Sequence, residues 1–397
     1  MSDSLDVLIV IGGLSVGGAE RHVSSVTRAL ARTGWSIGVY SLAGEGALQA
    51  EISAAGVRVI QPPVNQGSFG RLPIFRPLWT FIIAIHLIYT MLKTQPRIVH
   101  FFLPAAYMIG AVAAWIARIP IRIMSRRSLN NYQQGYPAAR WLESKLHRTM
   151  DAILGNSMAV VRQLRDDEGV PESKLGLIYN GIEAVQASHD RSAVRSSLMI
   201  DDRTLVFVIV ANLIPYKGHL DLLEAFSLAN DRIGQPWRLL IVGRDDGIGS
   251  ELGAAAGRLN IDGNVSFLGL RSDAASLMSA SDVGLLSSHQ EGFSNTILEG
   301  MAAGLPMIVT NVGGNAEAVA DGETGLVVPP HDPAAFADAI VRVARDPALR
   351  DRYGAAGRER VGALFSSDTC VTKYQALYRG LMRGEAPGDI PEVRTSL

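Results

Sequence analysis

The sequence predicts an α/β protein built from two domains, each a parallel sheet covered by helices on both faces. Three observations carry this. Short apolar runs alternate with helical stretches along the chain, the pattern that parallel sheets require. The alternation pauses in a polar stretch, Ala184–Arg203, and restarts at Leu205. A length of 397 residues suits two domains better than one.

The elements follow in order. Asp6–Ile11 (DVLIVI) is apolar and β-branched, as a buried parallel strand should be. Gly12–Gly18 is a turn, and Ala19–Arg32 has helical spacing, with Val23, Val26 and Leu30 on one stripe. Ser36–Leu42, Val57–Gln61, Arg97–Phe102, Ile121–Ser125 and Ala152–Gly155 continue as strands. After the pause, Leu205–Ala211 is a strand, Asn212–Gly218 a loop and His219–Asn230 a helix. Arg238–Gly243, Val265–Gly269, Val283–Ser287, Pro306–Thr310 and Gly325–Pro329 complete the second set of strands. The expected domains are 1–183 and 184–369, with a helix at about 370–384 and a polar tail over 385–397.

Composition narrows the function classes. Apolar residues form 48% of the chain, enough for two cores, and the single cysteine, Cys370, excludes an intrachain disulfide. Cys370 reads as a small packed residue rather than a nucleophile. The first residues carry two acids and no base, and the apolar run after them is too short for a signal peptide core, which points to a cytoplasmic protein. Residues 1–185 hold 18 Lys and Arg against 12 Asp and Glu, a net +6, while the remainder carries −7. Between Glu51 and Glu143 there are ten basic residues and no acidic one. That asymmetry suggests an anionic partner for the first half. Nucleic acid is not expected, because no basic helix with interleaved aromatics occurs. Leu78–Leu92 is uncharged over fifteen residues, too short for a span of ~20 residues. It is either a helix buried against the first sheet or one that dips into a membrane surface beside Arg71, Arg76, Lys93 and Arg97.

Several segments could carry chemistry. Gly17 and Gly18 stand between the first strand and a helix, where backbone can approach an anion, although the spacing is not GxGxxG. Lys217, in NLIPYKGH, follows the first strand of the second half and would face the crevice where such sheets bind ligands. A phosphate would suit its compact charge; an exposed loop lysine is the plain alternative. Ser287–Gly304 (SSHQEGFSNTILEGMAAG) is the most informative stretch: a Gly/Ser/Asn loop leads into a helix, and its amides would suit a diphosphate. Glu291 and Glu299 bracket that helix start. Thr296-x-x-Glu299 also fits a capping box, so Glu299 could serve its own helix. Asn311–Asn315 (NVGGN) adds a second glycine turn on the same edge. Asp245–Asp246 and Asp166–Asp167 are adjacent pairs rather than Asp-x-Asp, and no metal site is expected from them.

Together these segments resemble the retaining glycosyltransferase family 4, whose architecture is GT-B: two Rossmann-like domains with parallel sheets facing across a cleft. GGAERHV, RIVHFF, IYNGIE, NLIPYKGH, LLIVGR, VSFLG, SDVGLLSS, EGFSNTILEGMAAGLPMIVTNVGG and ETGLVVPP stand in the family's order over nearly the whole chain. The most specific element is Glu291, seven residues, then Glu299 and Gly304-Leu305-Pro306. The resemblance implies that the first domain faces the acceptor, that the second binds a nucleotide-sugar donor, and that the C-terminal helix crosses back to the first domain. It implies that Glu291 contacts hydroxyls of the donor sugar and Glu299 the ribose. Gly292, Phe293, Ser294, Asn295 and Thr296 would present backbone groups to the sugar and diphosphate. Lys217 would neutralise the departing diphosphate, and Val265–Gly269, with Phe267 and Leu268, would border the base. Gly243 and Arg244 would lie on the same edge, and Gly17 and Gly18 would approach the donor phosphate. The family often has an Arg where this chain has Asn212, and a Pro where it has Ser287; Arg244 could make up part of the missing charge. On the acceptor side, His100 is read at a strand end, and Arg126–Arg127 could hold an anionic acceptor or be a solvated turn.

The expected activity is therefore hexosyl transfer from a UDP- or GDP-sugar with retention and no metal or other cofactor. The acceptor would be a sugar or lipid-linked molecule in surface polysaccharide or glycolipid assembly, with an anionic membrane surface at the inner face as a further partner. The alternatives are a donor-binding relic or activating partner of another transferase, motivated by Asn212. An epimerase or phosphorylase on the same fold is less favoured, because paired acid/base groups and a cofactor lysine are not seen.

Overall fold

The computed structural model describes residues 4–15, 17–63, 76–133, 135–183 and 191–395. Arg71 and the start of the 184–203 boundary stretch lie outside these residues. The chain forms two compact units, Met1–Gly181 with Ser367–Leu397, and Ile182–Ser366.

In the first unit the strands are β1 (Val7–Ile11), β2 (Ile37–Ser41), β3 (Arg58–Ile60), β4 (Ile98–Phe102), β5 (Ile121–Arg126), β6 (Ala152–Gly155) and β7 (Leu175–Leu177). They form one parallel sheet in the order β3-β2-β1-β4-β5-β6-β7. The three-residue β7, with Lys174 before it, was too short to be read from composition. Its helices are α1 (Gly18–Arg32), α2 (Gln49–Ala54), α3 (Arg76–Thr94), α4 (Pro104–Ile116), α5 (Pro137–His147) and α6 (Met158–Asp166). One core holds α1 and α2 against the sheet, and another holds α3 to α6 against it. All five residues of β1 and of β4 are buried, which is why both runs are continuous in apolar character rather than alternating.

The second unit carries α7 (Arg191–Ser197), β8 (Leu205–Val210), α8 (His219–Ile233), β9 (Trp237–Val242), α9 (Gly249–Arg258), β10 (Val265–Gly269) and α10 (Ala274–Ser279). It continues through β11 (Val283–Leu286), α11 (Asn295–Ala302), β12 (Met307–Thr310), α12 (Asn315–Ala318), β13 (Gly325–Val328), α13 (Pro333–Arg345) and α14 (Pro347–Leu364). Its sheet is parallel in the order β10-β9-β8-β11-β12-β13. Helix α8 buries Leu222, Leu223 and Phe226, and Phe226 stacks on Trp237 at 4.8 Å.

The last helix, α15 (Ser367–Met382), belongs to the first unit, where Tyr374, Leu377, Tyr378 and Cys370 complete the core that holds α1. The residues after it are not a loose tail. Ile390 and Val393 are buried in the same core, and Leu177 N–H donates to the Val393 carbonyl at 2.8 Å. Two apolar residues three apart anchor a segment whose average composition is polar. The expectation of a buried helix at Leu78–Leu92 holds for one face only: Ile83, Leu87 and Met91 are in the core, while the other face is exposed.

Candidate donor site

Strands β8, β11 and β12 are neighbours, so the loops after them leave the same carboxyl edge of the second sheet side by side. Two glycines bring these loops into contact. Gly218 has φ +67, and a Cβ there would collide with the Ser287 carbonyl. Gly313 has φ +52, and a Cβ there would collide with the Glu291 carbonyl. Both positions need the left-handed region and the missing side chain. Hydrogen bonds then tie the loops. Ser287 Oγ donates to the Lys217 carbonyl at 3.0 Å. His289 N–H donates to Tyr216 O at 2.7 Å, and Gly314 N–H to Gly292 O at 2.9 Å.

The result is a charged pair. Lys217, the last residue of the turn Pro215–Lys217, places Nζ 2.6 Å from Glu291 Oε1. Ser288 Oγ donates to the same carboxylate oxygen at 2.8 Å. The two charged side chains are 17% and 11% exposed, so water screens the pair weakly. Sequence reasoning did not single out Ser288, although it lies three residues before Glu291 in the same loop.

Helix α11 starts at Asn295, and its cap residue Ser294 makes no side-chain hydrogen bond to the first turn. The capping-box reading of Thr296 and Glu299 does not hold. Thr296 lies inside the helix, and its hydroxyl donates to Val210 O at 3.0 Å. Glu299 is the fifth helical residue rather than one of the first turn, and it is half-buried. Gly292, Phe293 and Ser294 are buried, and Asn295 and Thr296 half-buried. The Phe293 ring packs on Phe365 at 5.4 Å, so this residue offers its backbone, not its side chain, to the loop.

Asn212 sits after β8, and its Oδ1 accepts from Arg244 N–H at 3.3 Å. The Arg244 guanidinium, expected to supply missing charge, is already paired with Asp246 at 2.6 Å. Gly243 packs directly on the Ala211 carbonyl. Phe267 is exposed and Leu268 half-buried on β10, the edge strand. Of the acidic pairs, Asp245 accepts from the backbone N–H groups of Gly247, Ile248 and Gly249, and Asp166 pairs with Arg165 at 2.7 Å.

Two further features went unread. His219, the residue that opens α8, is buried, and desolvation pushes its pKa down to about 4, with nearby Lys217 adding to the effect. Its ring is neutral at neutral pH. Asp221, His289 and His331 bring their ligand atoms within 4.8 Å of one another, with His289 Nε2 at 2.8 Å from Asp221 Oδ2. These three could hold a divalent cation through two nitrogens and an oxygen. The other such cluster among the described residues, Glu143, His147 and Glu168, already has a cation in Arg126.

The expected residues of the first unit behave differently. Gly17 caps α1 in an extended conformation and Gly18 opens the helix, with the Glu20 carboxylate folded over Gly17. His100 is not at a strand end. It lies in the middle of β4, fully buried, between Tyr378 Oη and Ser125 Oγ, each at 2.8 Å. Burial lowers its pKa to about 3. Arg126 is no solvated turn residue and holds no open anion site. It is buried at 3% exposure against Glu143 at 2.6 Å and Glu168 at 2.9 Å. Arg127 donates to Asn180 Oδ1 at 2.6 Å, and burial lowers its pKa. Cys370 is buried and its thiol is pushed up to about 12, which makes it inert.

Comparison with known proteins covers nearly the whole chain. A family model described as Glycosyl transferases group 1 matches residues 190–360, and one described as Glycosyltransferase Family 4 matches residues 16–186. The N-acetyl-alpha-D-glucosaminyl L-malate synthase of Bacillus anthracis is 29% identical over 221 residues, 55% of this chain and 57% of that protein. The alignment thus spans little more than half of that relative. The capsular polysaccharide biosynthesis glycosyltransferase CapM of Staphylococcus aureus is 28% identical over 300 residues, 73% of this chain and 78% of that one. Anabaena HepE, solved in complex with UDP-glucose, aligns with a TM-score of 0.80 at 20% identity, over 96% of this chain and 100% of that one. That last likeness is one of fold.

Proposed function

Because the chain belongs to the group 1, family 4 glycosyltransferases and has their GT-B fold, we propose that it transfers a hexose from a UDP- or GDP-sugar with retention of configuration. The observation that carries this reading is the Lys217–Glu291 pair at the carboxyl edge of the second sheet, beside the N-terminus of α11. A donor diphosphate at that edge would replace the Glu291 carboxylate as the partner of Lys217. Glu291 would then be released toward the sugar hydroxyls, with Ser288 still orienting it. The work left to the protein is positioning and stabilisation of the leaving diphosphate by Lys217 and the α11 amides. Glu299, one turn further on, is assigned to the ribose, and Phe267 and Leu268 to the base.

The relative named for capsular polysaccharide biosynthesis supports an acceptor in surface polysaccharide or glycolipid assembly, at the cytoplasmic side where nucleotide sugars are made. No helix among the described residues is long and apolar enough to cross a membrane, so contact with a lipid-linked acceptor would be peripheral.

Glu291→Ala should lower kcat about 100-fold or more, measured on protein that still shows a cooperative melting transition. Full transfer by this variant with normal donor affinity would sink the assignment. A second reading, a donor-binding relic or activating partner, is favoured by Asn212 and by the pairing of Arg244 with Asp246, which leave Lys217 as the cation facing the donor loop. Nucleotide binding without transfer or slow donor hydrolysis would select it.

A further inference from the structure

Helices α3, α4 and α5 lie side by side on one face of the first sheet, α4 packing against both neighbours. Helix α3 is apolar on two opposite faces. Its inner stripe is in the core. Its outer stripe, Leu78, Phe81, Ile85, Tyr89 and Leu92, is more than half exposed at every position, and the spacing of three and four keeps those residues on one line. Helix α4 has no charged residue at all. Its exposed large residues are Val112, Trp115 and Ile116, with Trp115 64% exposed, while Met108 and Ile109 are half-buried against the core. Tyr136, the cap residue of α5, and Trp141 within it are 68% and 63% exposed. A helix that is apolar all round is ordinarily buried on all sides, and a joined apolar surface of this kind marks an interaction site.

The charge around this surface identifies the occupant. No acidic residue occurs between positions 52 and 142, and Glu143, the acid of α5, is buried against Arg126. Exposed bases sit where each helix ends: Lys93 in the last turn of α3 and Arg97 after it, Arg118 after α4, and Lys145 and Arg148 at the end of α5. Lys145 Nζ lies 5.8 Å from the Trp141 ring centroid. Aromatic residues beside basic ones around an apolar centre match the headgroup, anion and acyl layers of a bilayer surface. A second copy of the chain fits poorly, because pairing the face with itself would set Lys93, Arg97, Arg118, Lys145 and Arg148 of both copies together, against Asp6 near Arg97 and Asp167 near Trp141.

We propose that the outer face of α3, α4 and α5 docks on an anionic lipid surface, with Phe81, Ile85 and Trp115 entering the acyl boundary. The surface stands on its own geometry and rests on the transferase reading only for its purpose, presenting the first unit to a lipid-linked acceptor. The test is sedimentation of the full chain with vesicles of 30% phosphatidylglycerol in phosphatidylcholine, against phosphatidylcholine alone. The wild type should sediment with the anionic vesicles, weaken severalfold between 0.1 and 0.5 M salt without release, and show tryptophan quenching by brominated acyl chains. Phe81→Glu with Trp115→Glu, both exposed positions, should partition at least tenfold less while the nucleotide-induced thermal shift is unchanged. Wild type left in the supernatant, or equal sedimentation of the double variant, would overturn the proposal. So would a concentration-dependent dimer that the double variant abolishes in the absence of vesicle binding. Because nucleotide binding is measured separately, failure here is distinguishable from failure of the donor site.

Discussion

The two sheets are built from the same plan, and the polar residues around them are put to opposite uses. At the edge of the second sheet, Gly218 and Gly313 draw three loops together, and Lys217 and Glu291 meet at a surface that solvent still reaches. In the first unit the histidines and Arg126 are consumed by packing. His100 lies between Tyr378 and Ser125, His22 Nε2 is 3.0 Å from Tyr374 Oη, and Arg126 is closed in by two glutamates. At the histidines the difference comes from α15, which returns from the far end of the chain and lays Tyr374 and Tyr378 against them; at Arg126 it comes from Glu143 of α5 and from Glu168, which follows α6. A polar residue beside such a sheet is therefore open or structural according to what covers it, not according to its type.

The largest expected effect breaks the first unit. Arg126→Ala leaves Glu143 and Glu168 buried without their cation, at a cost of about 3–5 kcal/mol. Chemical denaturation should show that loss. An acceptor-binding role for Arg126 predicts instead a raised acceptor KM with stability unchanged.

Acid should separate the two units next. His22 and His100 in the first unit and His219 in the second have pKa values depressed by burial, His100 to about 3 and His219 to about 4. A depressed histidine contributes its full stability above the unfolded value near 6.5. That stability is lost as pH falls below it, at about 1.4 kcal/mol per pH unit for each group. His86 in the first unit is depressed by burial as well, so hydrogen exchange should show protection falling more steeply in the first unit as pH drops below about 6.5. Glu168, held at about 2 against its own burial by His147 and Arg126, adds a further loss only as pH falls below about 4.5. Equal slopes in the two units would remove the contrast.

The smallest effect sharpens the second edge. Asn212→Arg adds a cation beside Lys217, and affinity for a nucleoside diphosphate should rise severalfold, or about 1 kcal/mol, in isothermal titration. No change would place the diphosphate away from Asn212.

How far the sequence could be read follows the same division. The buried strands were legible because apolar β-branched runs need no tertiary context; β7 (LGL), short and without a β-branched residue, was not. The loops of the candidate donor site were legible because glycines mark their turns and because their order resembles one family; the residue types alone left Lys217, Glu291 and Glu299 open. What stayed hidden depends on distant segments. Tyr374 and Tyr378 reach His22 and His100 from some 280 to 350 residues away, Ile390 and Val393 anchor what composition makes a tail, and Thr296 bonds β8 instead of forming a capping box. The outer stripe of α3 was half legible: its apolar length was plain, but only the packed helix shows which of its two apolar faces the core uses.

The central claim is that the donor diphosphate binds at Lys217 on the second unit. The direct measurement is the thermal shift of the full chain with UDP and with GDP, for the wild type and for Lys217→Ala. One nucleotide should raise the wild-type melting temperature by several degrees, and the variant should lose most of that rise, measured from its own melting temperature without nucleotide. An equal rise in both proteins would contradict the account.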